Sequence, residues 1–223
     1  MKTYLNDIFK PHGLRTHSRI FGFSGHLNTK KTIYWCYDTT GERIKTDYNC
    51  GCYDVSKSRV HEIHQKALGY SHKVNPMTCE IPYLEKDERQ GRHKCKILTK
   101  NQEPEEGKVY EILMDNSREI RYMRCRTGED YAFDKVRIAN DFSMSYITAK
   151  VVKNRDLNAD ALMAARAFSA EFGLDFGEMD ILFHNGLPYI VDVNNVAGAG
   201  RLFARCDFPK LARELYIEQI KSL

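Results

Sequence analysis

Near the carboxyl end of the chain, two short apolar runs alternate with polar positions. Met179, Ile181 and Phe183 alternate with Asp180, Leu182 and His184; Leu187, Tyr189, Val191 and Val193 alternate with Pro188, Ile190, Asp192 and Asn194. A period of two over this length predicts two strands, and Asn185-Gly186 marks the reversal between them. A two-residue turn would place Asp180 opposite Val191 and put Asp180 and Asp192 on opposite faces. A three-residue loop over His184, Asn185 and Gly186, with Gly186 left-handed, instead gathers Asp180, Asp192 and Asn194 on one face, and that is the expected register.

Helical spacing governs two stretches upstream. Asn158 to Phe172 is Ala-rich, with apolar positions at Leu162, Ala165, Phe168 and Phe172, an Asn158 cap and a Gly173 stop. Asp54 to Leu68 carries Val60, Ile63, Ala67 and Leu68 on one stripe, with Asp54 or Ser56 as N-cap and Gly69 as C-terminal stop. Between the helices, Glu80 to Leu98 predicts strand, polar loop around Gly91 and returning strand. KVYEILMD, from Lys108, then predicts a buried strand after the turn at Pro104 to Gly107. REIRYMRC, from Arg118, alternates Ile120 and Tyr122 against Arg121 and Arg124. FDKVRI sets Lys135 and Arg137 on one strand face, and TAKVVKNR offers Lys150 and Lys153. Upstream, residues 31–50 predict two strands around Thr39-Thr40-Gly41, and a last helix is expected from Pro209 to Ser222.

Composition narrows the class without naming it. At 223 residues and 42% hydrophobic content the chain can bury a real core, and its formal charge of +4 suits a polyphosphate ligand without demanding nucleic acid. The basic stretches lack regular aromatic interleaving, which disfavours an RNA-binding module. Seven cysteines and a start without an apolar signal core point to reduced thiols and a cytoplasmic protein, and no apolar run reaches membrane-spanning length. Cys50-Gly-Cys52 has no matching second pair, and His61 with His64, one helical turn apart, offer too few ligands for a zinc site.

Asp180, Asp192 and Asn194 on one face form a hard, oxygen-only set suited to Mg²⁺ that keeps waters and shares positions with phosphate oxygens. The order of helix, G-x-D-x-G, acidic strand, hairpin and V-D-V-N resembles the metal-binding hairpin that ends the ATP-grasp domain. Asp192 stands where that family commonly has Glu. The resemblance implies an α+β ATP-grasp fold, in which two α/β lobes with antiparallel sheets sandwich the nucleotide. Residues 54–223 would form it, 54–110 as the small lobe and 111–223 as the large one, with residues 1–53 as a β-rich appendage. That front end is shorter than the domain many relatives carry there, which leaves the acceptor pocket reduced or supplied by a partner chain.

By the same resemblance, Lys57 and Lys86 reach the nucleotide phosphates, and Glu111, Ile112 and Leu113 flank the adenine, with Asp115 or Asn116 near the ribose. Arg121, within Glu119-Ile120-Arg121, faces the triphosphate or acceptor. Lys135, with Lys150 as rival, contacts the γ-phosphate. Arg201, in a small-residue loop, stabilises the transferred group. The lid is poorer in glycine than is usual for the family, with Arg89 and Arg92 as substitutes by charge. ATP and Mg²⁺ are the implied cofactors, and the implied reaction is activation of a carboxylate as acyl phosphate for attack by an amine. An ATP-grasp kinase acting on a sugar or small-molecule hydroxyl, and a non-catalytic nucleotide-binding protein, are the alternatives. The acceptor is a small molecule, peptide or sugar.

Overall fold

The computed structural model describes residues 15–19, 22–26, 32–35, 49–89, 95–125, 131–140 and 147–194. The strands are β1 (Arg15–Arg19), β2 (Gly22–His26), β3 (Thr32–Trp35), β4 (Tyr83–Asp87), β5 (Cys95–Leu98), β6 (Lys108–Ile112), β7 (Arg118–Cys125), β8 (Tyr131–Val136), β9 (Thr148–Lys153), β10 (Phe176–His184) and β11 (Leu187–Asn194). The helices are α1 (Lys57–Leu68) and α2 (Ala159–Phe172). The strands form three antiparallel sheets in the orders β1-β2-β3, β5-β4-β6 and β11-β10-β7-β8-β9, so the fold is α+β. β1 and β2 fall in the lead-in, where no strand is expected from the sequence. The Thr39-Thr40-Gly41 turn, the lid residues Gly91 and Arg92, Arg201 and the helix expected from Pro209 lie outside the described residues.

The acidic hairpin reaches the expected pairing by a different route. Asn185 and Gly186 have φ of 50° and 80°, and His184 pairs with Leu187, so the reversal is a two-residue turn and not the three-residue loop. Two successive left-handed residues match the right-handed twist of the flanking strands. The extra residue sits instead in β11: the register shifts between Asp180 and Ile181, so Ile181 pairs with Ile190 while Asp180 pairs with Asp192. A bulge of this kind sets two residues of one strand against a single residue of the other. Val191 packs with Leu182, Tyr189 and Met114 on one face, while Val193 packs with Ile190 on the other, so the alternation read through both valines breaks here.

The opposite face of the five-stranded sheet carries the main core. Val60 and Ile63 of α1 and Ala161, Ala165, Phe168 and Phe172 of α2 pack with Tyr122, Met179, Ile181 and Ile190. Full burial of each such large apolar side chain is worth about 1.5–3 kcal/mol. Leu162 lies at the edge of this stripe, half-buried. Both helices carry the caps that their sequences predict. The Asn158 side chain accepts from the amides of Asp160 and Ala161, the Ser56 hydroxyl accepts from the Arg59 amide, and Gly173 and Gly69 close the helices at φ of 73° and 82°.

Residues 49–53 clasp the end of α2. The Asn49 amide donates to the Asp175 carboxylate, and the Asp175 amide returns a bond to the Asn49 side chain, both at 2.8 Å. This brings Gly51 so close to the helix that a Cβ there would lie 1.6 Å from the Phe172 carbonyl oxygen. Gly51→Ala must therefore displace backbone, and chemical denaturation should show a loss of about 1–3 kcal/mol.

Candidate functional site

The register of the large sheet sets Asp192, Asp180 and Arg121 in one row across β11, β10 and β7. Directly opposed residues share a face with Cβ atoms about 5 Å apart, and two like charges so placed repel. Cations relieve that repulsion. The Arg121 guanidinium grips both oxygens of Asp180 at 2.7 and 2.8 Å, and the Lys135 ammonium lies 3.0 Å from the same carboxylate. Burial would raise the Asp180 pKa, but the charges of Arg121 and Lys135 override it and hold the carboxyl well below the usual range.

Asp192 is held by Lys57, the first residue of α1, and accepts from the Asn194 amide nitrogen at 3.4 Å. Burial works to lower the Lys57 pKa, yet the Asp192 charge and hydrogen bond leave it raised. The helix start itself is not open to an anion. The Ser58 amide and hydroxyl donate to the Glu88 carboxylate at 3.1 and 2.8 Å, tying the end of the β4 segment to α1.

Lys86, on β4 of the small sheet, faces the same cleft as Lys57, Arg121, Asp180 and Asp192. Its ammonium pairs with Glu111. Glu111 turns its carboxylate into the protein beside His61 and His72. The Ile112 amide donates to the His72 carbonyl at 2.9 Å and is thereby committed within the protein. Ile112, Met114, Leu182 and Val191 give the cleft an apolar floor.

Several sequence-derived positions are corrected. Lys135, expected to face the γ-phosphate, is fully buried between Glu119 and Asp180, behind the cleft wall. Asp115 is exposed, accepts from the Ser117 amide, and lines a separate depression with Arg118 and Asp134. Asn116 lines the cleft, and its side-chain oxygen accepts from the Asn140 amide at 2.7 Å. Leu113 is half-buried outside the cleft lining, and Lys150, the rival of Lys135, is exposed on β9.

The sequence marks Arg137 only as a face-mate of Lys135, yet it lines the cleft and holds Glu119 at 2.6 Å. Glu178, fully buried beside Arg121, had no sequence signal beyond its place two residues before Asp180.

The cleft lining thus combines apolar side chains with lysines and arginines around a carboxylate pair. Asp180 and Asp192 with the Asn194 amide oxygen are hard donors of the kind Mg²⁺ takes. Arg121, Lys135 and Lys57 supply cationic charge to these opposed carboxylates, and a divalent ion would share that role at Asp192. Asp192, whose side chain is 31% exposed, is the more open of the two carboxylates, because Arg121 spans both oxygens of Asp180.

No protein-family model and no curated protein matches the sequence. Among solved structures, the ATP-grasp ligase PsnB complexed with precursor peptide PsnA2 and AMPPNP is similar at 13% identity and a TM-score of 0.56, over 77% of this chain and 61% of that one. PsnB complexed with minimal precursor, Mg and ADP gives 14% and 0.54, over 77% and 61%. D-alanine–D-alanine ligase from Bacillus anthracis complexed with ATP gives 17% and 0.50, over 75% and 63%. The chain spans less than two thirds of the length of these solved chains. At such identities the likeness is one of fold, and that fold is ATP-grasp.

Proposed function

We propose that this chain of ATP-grasp fold is an ATP- and Mg²⁺-dependent ligase that activates a carboxylate for attack by an amine, with a peptide as its substrate class. The observation that carries this reading is the cleft itself: Lys57, Lys86 and Arg121 converge with Asp180 and Asp192 beside an apolar floor. The peptide substrate rests on the neighbours' precursor peptides.

In the proposed reaction a carboxylate oxygen of the substrate attacks the γ-phosphorus of ATP, and ADP leaves. The amine nitrogen then attacks the acyl carbon, phosphate leaves with the bonding pair, and the amine proton passes to solvent. Lys57 and Lys86 neutralise phosphate charge, Arg121 offsets charge on the transferred group, and Lys135 positions Asp180 from behind. Mg²⁺ held by Asp180, Asp192 and Asn194 would supply charge neutralisation of the phosphates. Positioning and electrostatics suffice, so no side-chain nucleophile is required.

The test is the full chain with ATP, Mg²⁺ and peptides bearing Asp or Glu side chains, in the presence of hydroxylamine. Hydroxamate formed in proportion to ADP is the expected result. A stable phosphoester on the acceptor would make the protein a kinase. Absence of Mg²⁺-dependent ATP binding by calorimetry would remove the nucleotide reading altogether.

A further inference from the structure

Behind the Lys86 side of the cleft lies a group of side chains that includes Glu111, the partner of Lys86. His61 of α1, His72 in the segment after it, and Glu111 of β6 bring one donor atom each to within 4.8 Å of one another. Glu111 Oε1 is 2.9 Å from His61 Nε2 and 4.0 Å from His72 Nε2. The residues are 3%, 0% and 1% exposed.

Neither ring nitrogen of His72 has a hydrogen-bond partner among the described residues, and Nδ1 of His61 has none either. Each buried polar atom left so costs about 1–3 kcal/mol. A metal ion at His72 Nε2 would satisfy one of these three atoms and leave the two Nδ1 atoms as they are.

We propose that His61 Nε2, His72 Nε2 and Glu111 Oε1 bind one transition-metal dication of the zinc class. Zinc–ligand distances near 2.0–2.1 Å in a tetrahedral site put ligand atoms about 3.3 Å apart, a separation inside the observed spread. Two imidazoles and a carboxylate with a fourth position open form a familiar zinc donor set. Glu111 lies between this group and the cleft, where its second oxygen pairs with Lys86, so an ion would enter from the cleft side past that lysine. The imidazoles disfavour Mg²⁺, so this site is chemically separate from the oxygen set at Asp180 and Asp192 and stands independently of the ligase reading.

The experiment uses the full chain stripped with chelator and titrated with Co²⁺ and Zn²⁺ in excess Mg²⁺. A single equivalent of Co²⁺ should bind and give a visible spectrum of nitrogen and oxygen ligation, and Zn²⁺ should displace it and raise Tm. His72→Leu, which fills the space without a donor, and Glu111→Gln, which keeps the shape, should each weaken binding by more than about tenfold. His184→Ala should not. Absence of binding, a thiolate charge-transfer band, or a zinc-induced Tm shift that survives in either folded ligand variant would overturn the proposal.

Discussion

An Asp192→Asn variant is expected to fold normally and to lose at least about two orders of magnitude in Mg²⁺-dependent ATP turnover. The exchange is isosteric, and the amide oxygen still accepts from Lys57, so the contact between α1 and β11 persists. What disappears is one of the two opposed negative charges that give the row its demand for cations. With that charge gone, Lys57 loses its main electrostatic partner and Asp180 remains committed to Arg121 and Lys135. The Mg²⁺ concentration giving half-maximal rate should therefore rise along with the fall in kcat. Asp192 is 31% exposed but Lys57 only 12%, so the lysine left against a neutral amide should bring a modest loss of stability beside the loss of turnover. Unchanged turnover and Mg²⁺ dependence would mean that this carboxylate takes no part in the chemistry.

The largest effect on stability should come from Lys135→Met. Lys135 is fully buried, paired with Glu119 and 3.0 Å from Asp180. Glu119, Glu178 and Asp180 are matched there by Arg121, Lys135 and Arg137. Removing one cation leaves buried negative charge in excess, at a cost of about 3–5 kcal/mol. In a chain of this size each kcal/mol moves Tm by about 2–4 °C, so a fall of roughly 10 °C is expected by calorimetry. Lys135→Met combined with Glu119→Gln restores the balance of charge and should recover most of the loss. A single variant within about 1 kcal/mol of the parent would show that the lysine is dispensable to the fold.

How much of this was legible in the sequence depended on whether local pattern or distant packing decided the outcome. Helix ends were legible, because Asn158, Ser56, Gly69 and Gly173 act on amides and carbonyls within four residues of themselves. So was the shared face of Asp192 and Asn194. The bulge was not: nothing in VDVN distinguishes a strand that admits an extra residue at Val191 from one that does not, and the preference of Asn185-Gly186 for a two-residue turn decided it. The burial of Lys135 has no trace in the alternation of β8, which reports which face a side chain takes, not what covers that face. His72 and Glu111 are 39 positions apart, and His72 sits in an irregular segment without periodicity, so their approach to His61 has no one-dimensional trace.

The hairpin can also be regarded as a problem of parity. Joined by an even connection in regular pairing, its two acids would fall on opposite sides, and a single surplus backbone unit anywhere between them reverses that outcome. Inserting the unit at the tip or within the returning arm is equivalent for the carboxylates but not for the floor beside them, since only the second choice turns two successive side chains, Val191 and Asp192, the same way. The greasy patch and the charged row therefore meet without a spacer, which fixes how short a ligand can be and still touch both.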